Sequence, residues 1–389
     1  MARYLYVVAG EHSGDAHGAG LLESLAKQVY DLKVRGVGGA QMSEITSGGV
    51  RDWVEDAAVM GVVEVLKRYG WFKEQFHKML QEVRETKPEV LLLIDYPGFN
   101  LRFAKAVRAA LPDIRIVYYV SPQVWAWNKR RIPKMAKLLD QMICLFPFEV
   151  ELYENSGLKS AFVGHPLVDE LEEKREEVHR DELLVGLFPG SREREVASLL
   201  PIMLESAKRL RDKRSDLRFE VPAASKKLAV QIHNLIEELE ADDWVDVTIG
   251  QSHSLMQRAC VGVLASGTAT LEAAYYGLPY CLVYKVAPVT YCIAKLVVKI
   301  DFIGIVNILA KEKVVEEFIQ GEATPENVSA CLWELLDDSA KREAMQLKLA
   351  ETSKLLGEPG SHARVADVVM ESFLDCPSQD MVENEFSQS

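Results

Sequence analysis

The sequence predicts an α/β protein of two domains, each built on a parallel β-sheet, and three observations carry that prediction. A chain of 389 residues exceeds what one hydrophobic core usually organises and suits two. Short apolar runs recur, each followed by a turn rich in Gly, Ser or Pro and then by helical spacing, which is the pattern of repeated β-α units. The runs also fall into two sets, separated by Asp169 to Glu182, where eight carboxylates meet three cationic side chains in a stretch too polar to bury.

In chain order, the first set places strands near Tyr4–Ala9, Val90–Ile94, Ile114–Val120 and Met142–Leu145. The second places them near Leu183–Phe188, Leu217–Val221, Val245–Ile249 and Val261–Ala265. Domains are therefore expected over residues 1–167 and 168–345, with the acidic stretch a surface linker containing some helix. After Pro325 the pattern turns to amphipathic helix, and 376–389 reads as a flexible polar tail.

Composition excludes several classes of function. Hydrophobic residues at 48% and charged ones at 26% fit a globular protein rather than a disordered or fibrous one. A net charge of -13 removes any general attraction to nucleic acid, so no nucleic-acid partner is expected. Cysteines 144, 260, 281, 292, 331 and 376 form no Cys-x-x-Cys pair and read as reduced thiols. No Asp-x-Asp or His-Glu-x-x-His occurs, and His12, His17 and His165 lack a ligand spacing, so neither a metal nor a cofactor is expected. The apolar run Tyr4–Ala9 is too short for a secretory signal, and no run is long enough to span a bilayer, which reads as cytoplasmic.

Ligands of open parallel sheets bind at the carboxyl ends of strands, so the residues that follow each strand are the candidates for chemistry. The first strand runs into Gly10-Glu11-His12-Ser13-Gly14-Asp15, which matches neither a dinucleotide fingerprint nor a P-loop. It is a tight turn or a place where a ligand meets backbone. Val90–Ile94 leads to Asp95-Tyr96-Pro97-Gly98-Phe99-Asn100; a carboxylate partly buried there would be raised toward a useful general base, while the plainer alternative is an Asp capping its turn. Ile114–Val120 leads to Ser121-Pro122-Gln123-Val124-Trp125-Ala126-Trp127 and then to cations, with no acid from Trp125 to Leu139. In the second set, Pro189-Gly190-Ser191-Arg192 offers an Arg at a strand end, and Ser266-Gly267-Thr268-Ala269-Thr270-Leu271-Glu272 opens a helix whose N–H groups could meet an anion or merely be capped. His165, in Val163-Gly164-His165-Pro166, is a turn histidine or a ligand contact where the two halves meet.

Taken in order, Ala9-Gly10-Glu11-x-Ser13-Gly14-Asp15, Ile94-Asp95-x-Pro97-x-Phe99-Asn100, Tyr119 through Trp127, Pro147-Phe148-Glu149, Val163-Gly164-His165-Pro166, Pro189-Gly190-Ser191-Arg192 and Ala265 through Glu272 resemble the lipid-A-disaccharide synthase family. Asn307-x-Leu309-Ala310 and Glu317-x-x-Gln320 extend the resemblance over nearly the whole chain. One departure is Gly98, where some members of that family carry a second Asp; Asp95 is then the one carboxylate of its motif.

The resemblance implies a GT-B type glycosyltransferase, two Rossmann-like domains facing across a cleft, with helices over 346–375 packing back on the first domain. It implies an inverting, metal-independent transfer from a UDP-sugar donor, UDP-2,3-diacylglucosamine, to an acylated sugar phosphate acceptor, 2,3-diacylglucosamine 1-phosphate, in lipopolysaccharide biosynthesis of a Gram-negative bacterium. Asp95 would be the base. Gly10, Glu11, Ser13, Gly14, Asp15, Asn100, Ser121, Gln123, Trp125, His165 and Asn307 would meet the sugars. Gly190, Ser191, Arg192, Gln251, Met256, Ser266, Gly267, Thr268, Ala269, Thr270 and Glu272 would hold UDP, with Arg192 on the diphosphate, Glu272 on the ribose and the loop from Ile249 to Met256 on the uracil.

The inner-membrane surface is an implied partner, met by Val62, Val65, Leu66, Tyr69 and Trp71 and by the acid-free stretch, whereas Phe72, Phe76, Met79 and Val83 have core spacing. A homodimer is left open. The runner-up is a UDP-N-acetylglucosamine 2-epimerase, which shares the architecture and needs no acceptor; a non-enzymatic scaffold would lack Asp95, Arg192 or Glu272, and all three are present.

Overall fold

The computed structural model describes residues 3–57, 68–287, 291, 295 and 301–374. The chain divides into two compact units, Met1–Pro166 with Pro359–Ser389, and Leu167–Glu358.

The first unit holds seven strands, β1 (Arg3–Ala9), β2 (Leu32–Gly38), β3 (Val50–Asp52), β4 (Val90–Ile94), β5 (Arg115–Tyr119), β6 (Gln141–Cys144) and β7 (Ser160–Phe162), in the spatial order β3-β2-β1-β4-β5-β6-β7. All the pairings are parallel. β4 reads Val-Leu-Leu-Leu-Ile and is buried end to end, as a central parallel strand covered on both faces must be. On one face Tyr6, Val8, Leu91 and Leu93 pack with Phe103; on the other Leu5, Val7 and Leu92 pack with Leu21 and Leu25 of the helix His12–Gln28. The last helix, Ser361–Leu374, joins this second face through Val365, Ala366, Val369 and Phe373.

The second unit adds β8 (Asp181–Phe188), β9 (Arg218–Ala223), β10 (Val245–Ile249), β11 (Ala259–Ala265), β12 (Tyr280–Tyr284) and β13 (Glu317–Ile319), in the order β10-β9-β8-β11-β12-β13, again all parallel. Its boundary differs from the expected one. The helix Ser339–Lys354 packs on the helices Ala269–Tyr275, Ile305–Ala310 and Pro325–Asp337 of its own unit, so the unit runs to Glu358 rather than to 345 and a single helix returns. The break falls where Gly357 and Gly360 take φ of 83° and 91°, left-handed values that end one helix and redirect the chain. The tail expected over 376–389 lies outside the described residues.

Each sheet has one point where the strand order reverses: β1 beside β4 in the first, β8 beside β11 in the second. Crossover helices leave opposite faces there, which opens a crevice at the carboxyl ends of those strands. Residues 10–15 and 95–100 follow β1 and β4; residues 189–192 and 266–272 follow β8 and β11. The motifs singled out in the sequence thus stand at the two places the topology reserves for ligands.

The acidic stretch is less free than its composition suggests. Arg180 turns inward and donates to the carbonyls of Met256 at 2.8 Å, Ala259 at 2.7 Å and Tyr276 at 2.5 Å, tying the ends of the helices Ser252–Arg258 and Ala269–Tyr275. Burial lowers its pKa to about 10. Among the described residues, Cys144, Cys260, Cys281 and Cys331 are free thiols, and no helix is long and apolar enough to cross a membrane.

Candidate active site

In the first unit the chain leaves β4 through two residues in left-handed conformation, Asp95 (φ 46°) and Tyr96 (φ 49°), and leaves β5 through a third, Val120 (φ 66°). None is a glycine, so each conformation costs on the order of 1 kcal/mol or more, and such strain concentrates at functional sites. Neighbouring bonds hold the Asp95 turn: its N–H donates to Tyr119 O at 2.9 Å, and its carbonyl accepts from the Tyr118 hydroxyl at 2.5 Å and from Asn100 Nδ2 at 2.8 Å. Tyr96 lies over Gly10, where a Cβ would come within 2.4 Å of its ring, so only glycine fits beneath it.

Burial raises the Asp95 carboxyl to about 6, helped by the negative charge of Glu11 and opposed by a backbone bond at Tyr96. Glu11, in the turn after β1, is therefore close enough for its charge to be felt at Asp95, where the motif itself has Gly98 and no second acid.

Several expected substrate contacts also serve as braces. The Asp15 carboxylate is buried and accepts from the N–H groups of Gly39 at 2.8 Å, Gln41 at 3.1 Å and Met42 at 3.1 Å, capping the helix Ala40–Ile45. Asn100 is fully buried and spends its amide on the carbonyls of Ile94, Asp95 and Val8. Gly14 is buried against Ala9 and Ile94. Asn307 bonds Val314 N, Val315 N, Val315 O and Glu317 within its own unit and is fully buried. Asn307 has both amide atoms satisfied in this way, whereas the buried Asn100 Oδ1 has no hydrogen-bond partner.

Ser121 and Trp125 are held from behind by a residue that carried no role in the sequence. The buried Glu149 carboxylate accepts from Ser121 Oγ at 2.5 Å, Trp125 Nε1 at 2.9 Å and Phe146 N at 3.1 Å. Burial pushes it up to about 7 despite those bonds. Glu11, Ser13 and Gln123 are exposed. His165 is buried beside the Phe146 ring, and burial, with His17 nearby, lowers its pKa to about 4 and keeps it neutral.

The second unit contains a cleft of about 500 Å³ lined by Gly190, Ser191, Arg192, Ser266, Gly267, Thr268, Ala269 and Glu272, all named from sequence. Gly250, Ser252 and His253, from the loop expected at the uracil, line it too, as do Lys174 and Glu195, which were missed. Gly190 takes φ 102°, and a Cβ there would meet the Glu195 carboxylate at 2.4 Å. Arg192 is 67% exposed and bonds Glu195 at 2.8 Å. Three expected residues fall outside the lining: Met256 is fully buried in the core, Thr270 is buried with its hydroxyl on Gly267 O, and Gln251 is exposed between two lining residues, Gly250 and Ser252.

The family model for lipid-A-disaccharide synthetase matches residues 5–368. The chain belongs to the lipid-A-disaccharide synthase family. A lipid-A-disaccharide synthase of Geobacter sulfurreducens is 40% identical over 382 residues, covering 94% of this chain and 96% of that one. Among solved structures, a UDP-N-acetylglucosamine 2-epimerase from Listeria monocytogenes aligns with a TM-score of 0.64 at 12% identity, over 97% of this chain and 98% of that one. The glycotransferase of kitacinnamycin aligns at 0.56 and 14% identity, over 95% and 99%. These structural likenesses concern the fold, which is of the GT-B type. Family membership decides between synthase and epimerase where architecture alone does not.

Proposed function

We propose that the chain joins UDP-2,3-diacylglucosamine to 2,3-diacylglucosamine 1-phosphate, giving the β-1,6-linked lipid A disaccharide 1-phosphate and UDP. The observation that carries the mechanism is Asp95: a carboxylate at a topological switch point, strained into place and raised to about 6 by burial and Glu11. Such a group is ionised at neutral pH yet basic enough to accept a proton. The acceptor hydroxyl attacks the anomeric carbon, its proton passes to Asp95, the bond from that carbon to the diphosphate oxygen breaks, and one displacement inverts the centre.

In the second unit, Arg192 and the backbone of residues 266–269 meet the diphosphate, and Glu272 meets the ribose. Arg192→Ala and Glu272→Ala should each weaken UDP binding by about 1.5–3 kcal/mol, the size of a charge-assisted hydrogen bond. Calorimetry showing both at wild-type affinity would remove the cleft as the UDP site. Mass spectrometry of products tests the reaction itself: UDP should appear only when the acylated acceptor is supplied, whereas isomerised sugar nucleotide without acceptor would mark an epimerase.

Acyl chains leave a bilayer reluctantly, so the chain should work at the inner-membrane surface. Val62, Val65 and Leu66 lie outside the described residues; Trp71 stacks on Trp53 with ring centroids 5.7 Å apart, which makes it part of the core edge rather than a free anchor. Tyr69 is 60% exposed and Trp127 45%, with the Arg131 guanidinium 4.9 Å from the Trp127 ring. Aromatic groups flanked by cations suit a headgroup layer. Wild type should float with anionic vesicles and the double variant Leu66→Ser with Tyr69→Ser should not; equal flotation of the two would exclude this surface.

A further inference from the structure

Two residues nineteen positions apart meet at the wall of the second unit's cleft. His253 lies in the first turn of the helix Ser252–Arg258, after β10, and Glu272 in the first turn of the helix Ala269–Tyr275, after β11. His253 Nε2 is 3.1 Å from Glu272 Oε2, and the side chains are 20% and 16% exposed. Both line the cleft. Among the described residues His253 makes the one side-chain hydrogen bond given to the Glu272 carboxylate. The imidazole packs beside Tyr276, with ring centroids 5.9 Å apart, and the His253 backbone carbonyl accepts from Gln257 Nε2, which also bonds Lys174 O.

A glutamate on a cleft wall has rotatable bonds to lose before it can present an oxygen to a ligand. With Oε2 held by an N–H of the histidine, that loss is made in advance, and Oε1 is left in a defined position. A carboxylate oxygen so placed suits a vicinal diol, whose hydroxyls are donors.

We propose that His253 is a specificity-determining positioning residue: it orients Glu272 toward the ribose diol and so sets the preference of the cleft for ribonucleotides over 2′-deoxyribonucleotides. The inference rests on the reading of Glu272 as the ribose contact. It needs a proton on Nε2, the ring nitrogen that faces the carboxylate.

The test is calorimetry of UDP and 2′-deoxy-UDP with the full chain. Wild type should prefer UDP about tenfold or more, the usual size of one charge-assisted hydrogen bond. His253→Ala should reduce that preference to within about threefold, mainly by weakening UDP. His253→Gln, which keeps an N–H near the position of Nε2, should restore it. If the Ala variant does not fold, His253→Leu keeps bulk without the donor and reads the same ratio. Loss of discrimination in Glu272→Ala but not in His253→Ala or His253→Leu overturns the inference alone, as does a Gln variant that behaves like Ala. No discrimination by wild type, with Glu272→Ala binding UDP as wild type does, overturns the ribose reading beneath it.

Discussion

Asp95→Asn should lower turnover by roughly 10²–10⁴-fold while leaving UDP affinity unchanged, because the amide keeps the shape of the side chain and loses its capacity to take a proton. The turn itself is held by the Tyr118 hydroxyl and the Asn100 amide, which donate to the Asp95 carbonyl and which the substitution does not touch. The pH profile of wild type supplies an independent reading. The Asp95 carboxyl is raised, by burial first and by Glu11 second, to about 6. Only its ionised form accepts a proton, so the rate should rise with pH through about 6, level above it and fall away below. Removing the second charge in Glu11→Gln should move that limb toward acid. A flat profile between pH 5 and 8, or an Asn variant with ordinary turnover, would take the base away from Asp95.

The second large effect concerns stability. Asp15→Ala leaves the N–H groups of Gly39, Gln41 and Met42 without their acceptor in a buried place. Each such loss costs about 1–3 kcal/mol, and three on one helix start should total roughly 3–5 kcal/mol. For a unit of this size that lowers the melting temperature by on the order of 10 °C. Asp15→Asn retains one acceptor oxygen and should recover part of the difference. Thermal unfolding of both variants checks this. Lost activity with an unchanged melting temperature would return Asp15 to the substrate site.

The contrast between Asp95 and Asp15 shows where the sequence was legible. Both follow a strand of the first unit and both belong to its motifs, yet one carries a carboxyl raised by burial, the base we propose, and the other holds a helix start. Residue type and position at a strand end were readable; whether backbone donors already surround the carboxylate depends on Gly39–Met42, a segment with no signal pointing back to residue 15. Asn307 and Thr270 likewise bond backbone groups that no sequence signal ties to them. Glu149 stood in a motif and His253 in the loop expected at the uracil, but neither had a role of its own in the sequence, since their partners, Ser121 with Trp125 and Glu272, lie 19 to 28 positions away.

Strands behaved similarly. The continuous apolar runs of β1, β4, β8 and β11 were readable because both faces are buried. β2, whose first half alternates Leu-Lys-Val-Arg with partial exposure, and the three-residue edge strands β3, β7 and β13 owe their form to a neighbour's ladder. β12, Tyr-Cys-Leu-Val-Tyr, is as apolar as any central strand, and its run after Gly-Leu-Pro was the readable signal passed over.

Arg180 changes what may be cut from this chain. By hydropathy the second unit begins where the apolar run does, at Leu183, and a fragment trimmed there would still carry all six of its strands in large part. It would also have lost the guanidinium that closes three carbonyls at the ends of the helices bearing His253 and Glu272. Such a piece should express as a folded sheet with a loosened ligand wall, and its weak affinity for nucleotide would be mistaken for dependence on the missing partner unit. Dissection of the protein should begin at Leu167, where the stitching begins, so that the portable module includes the segment its composition would discard.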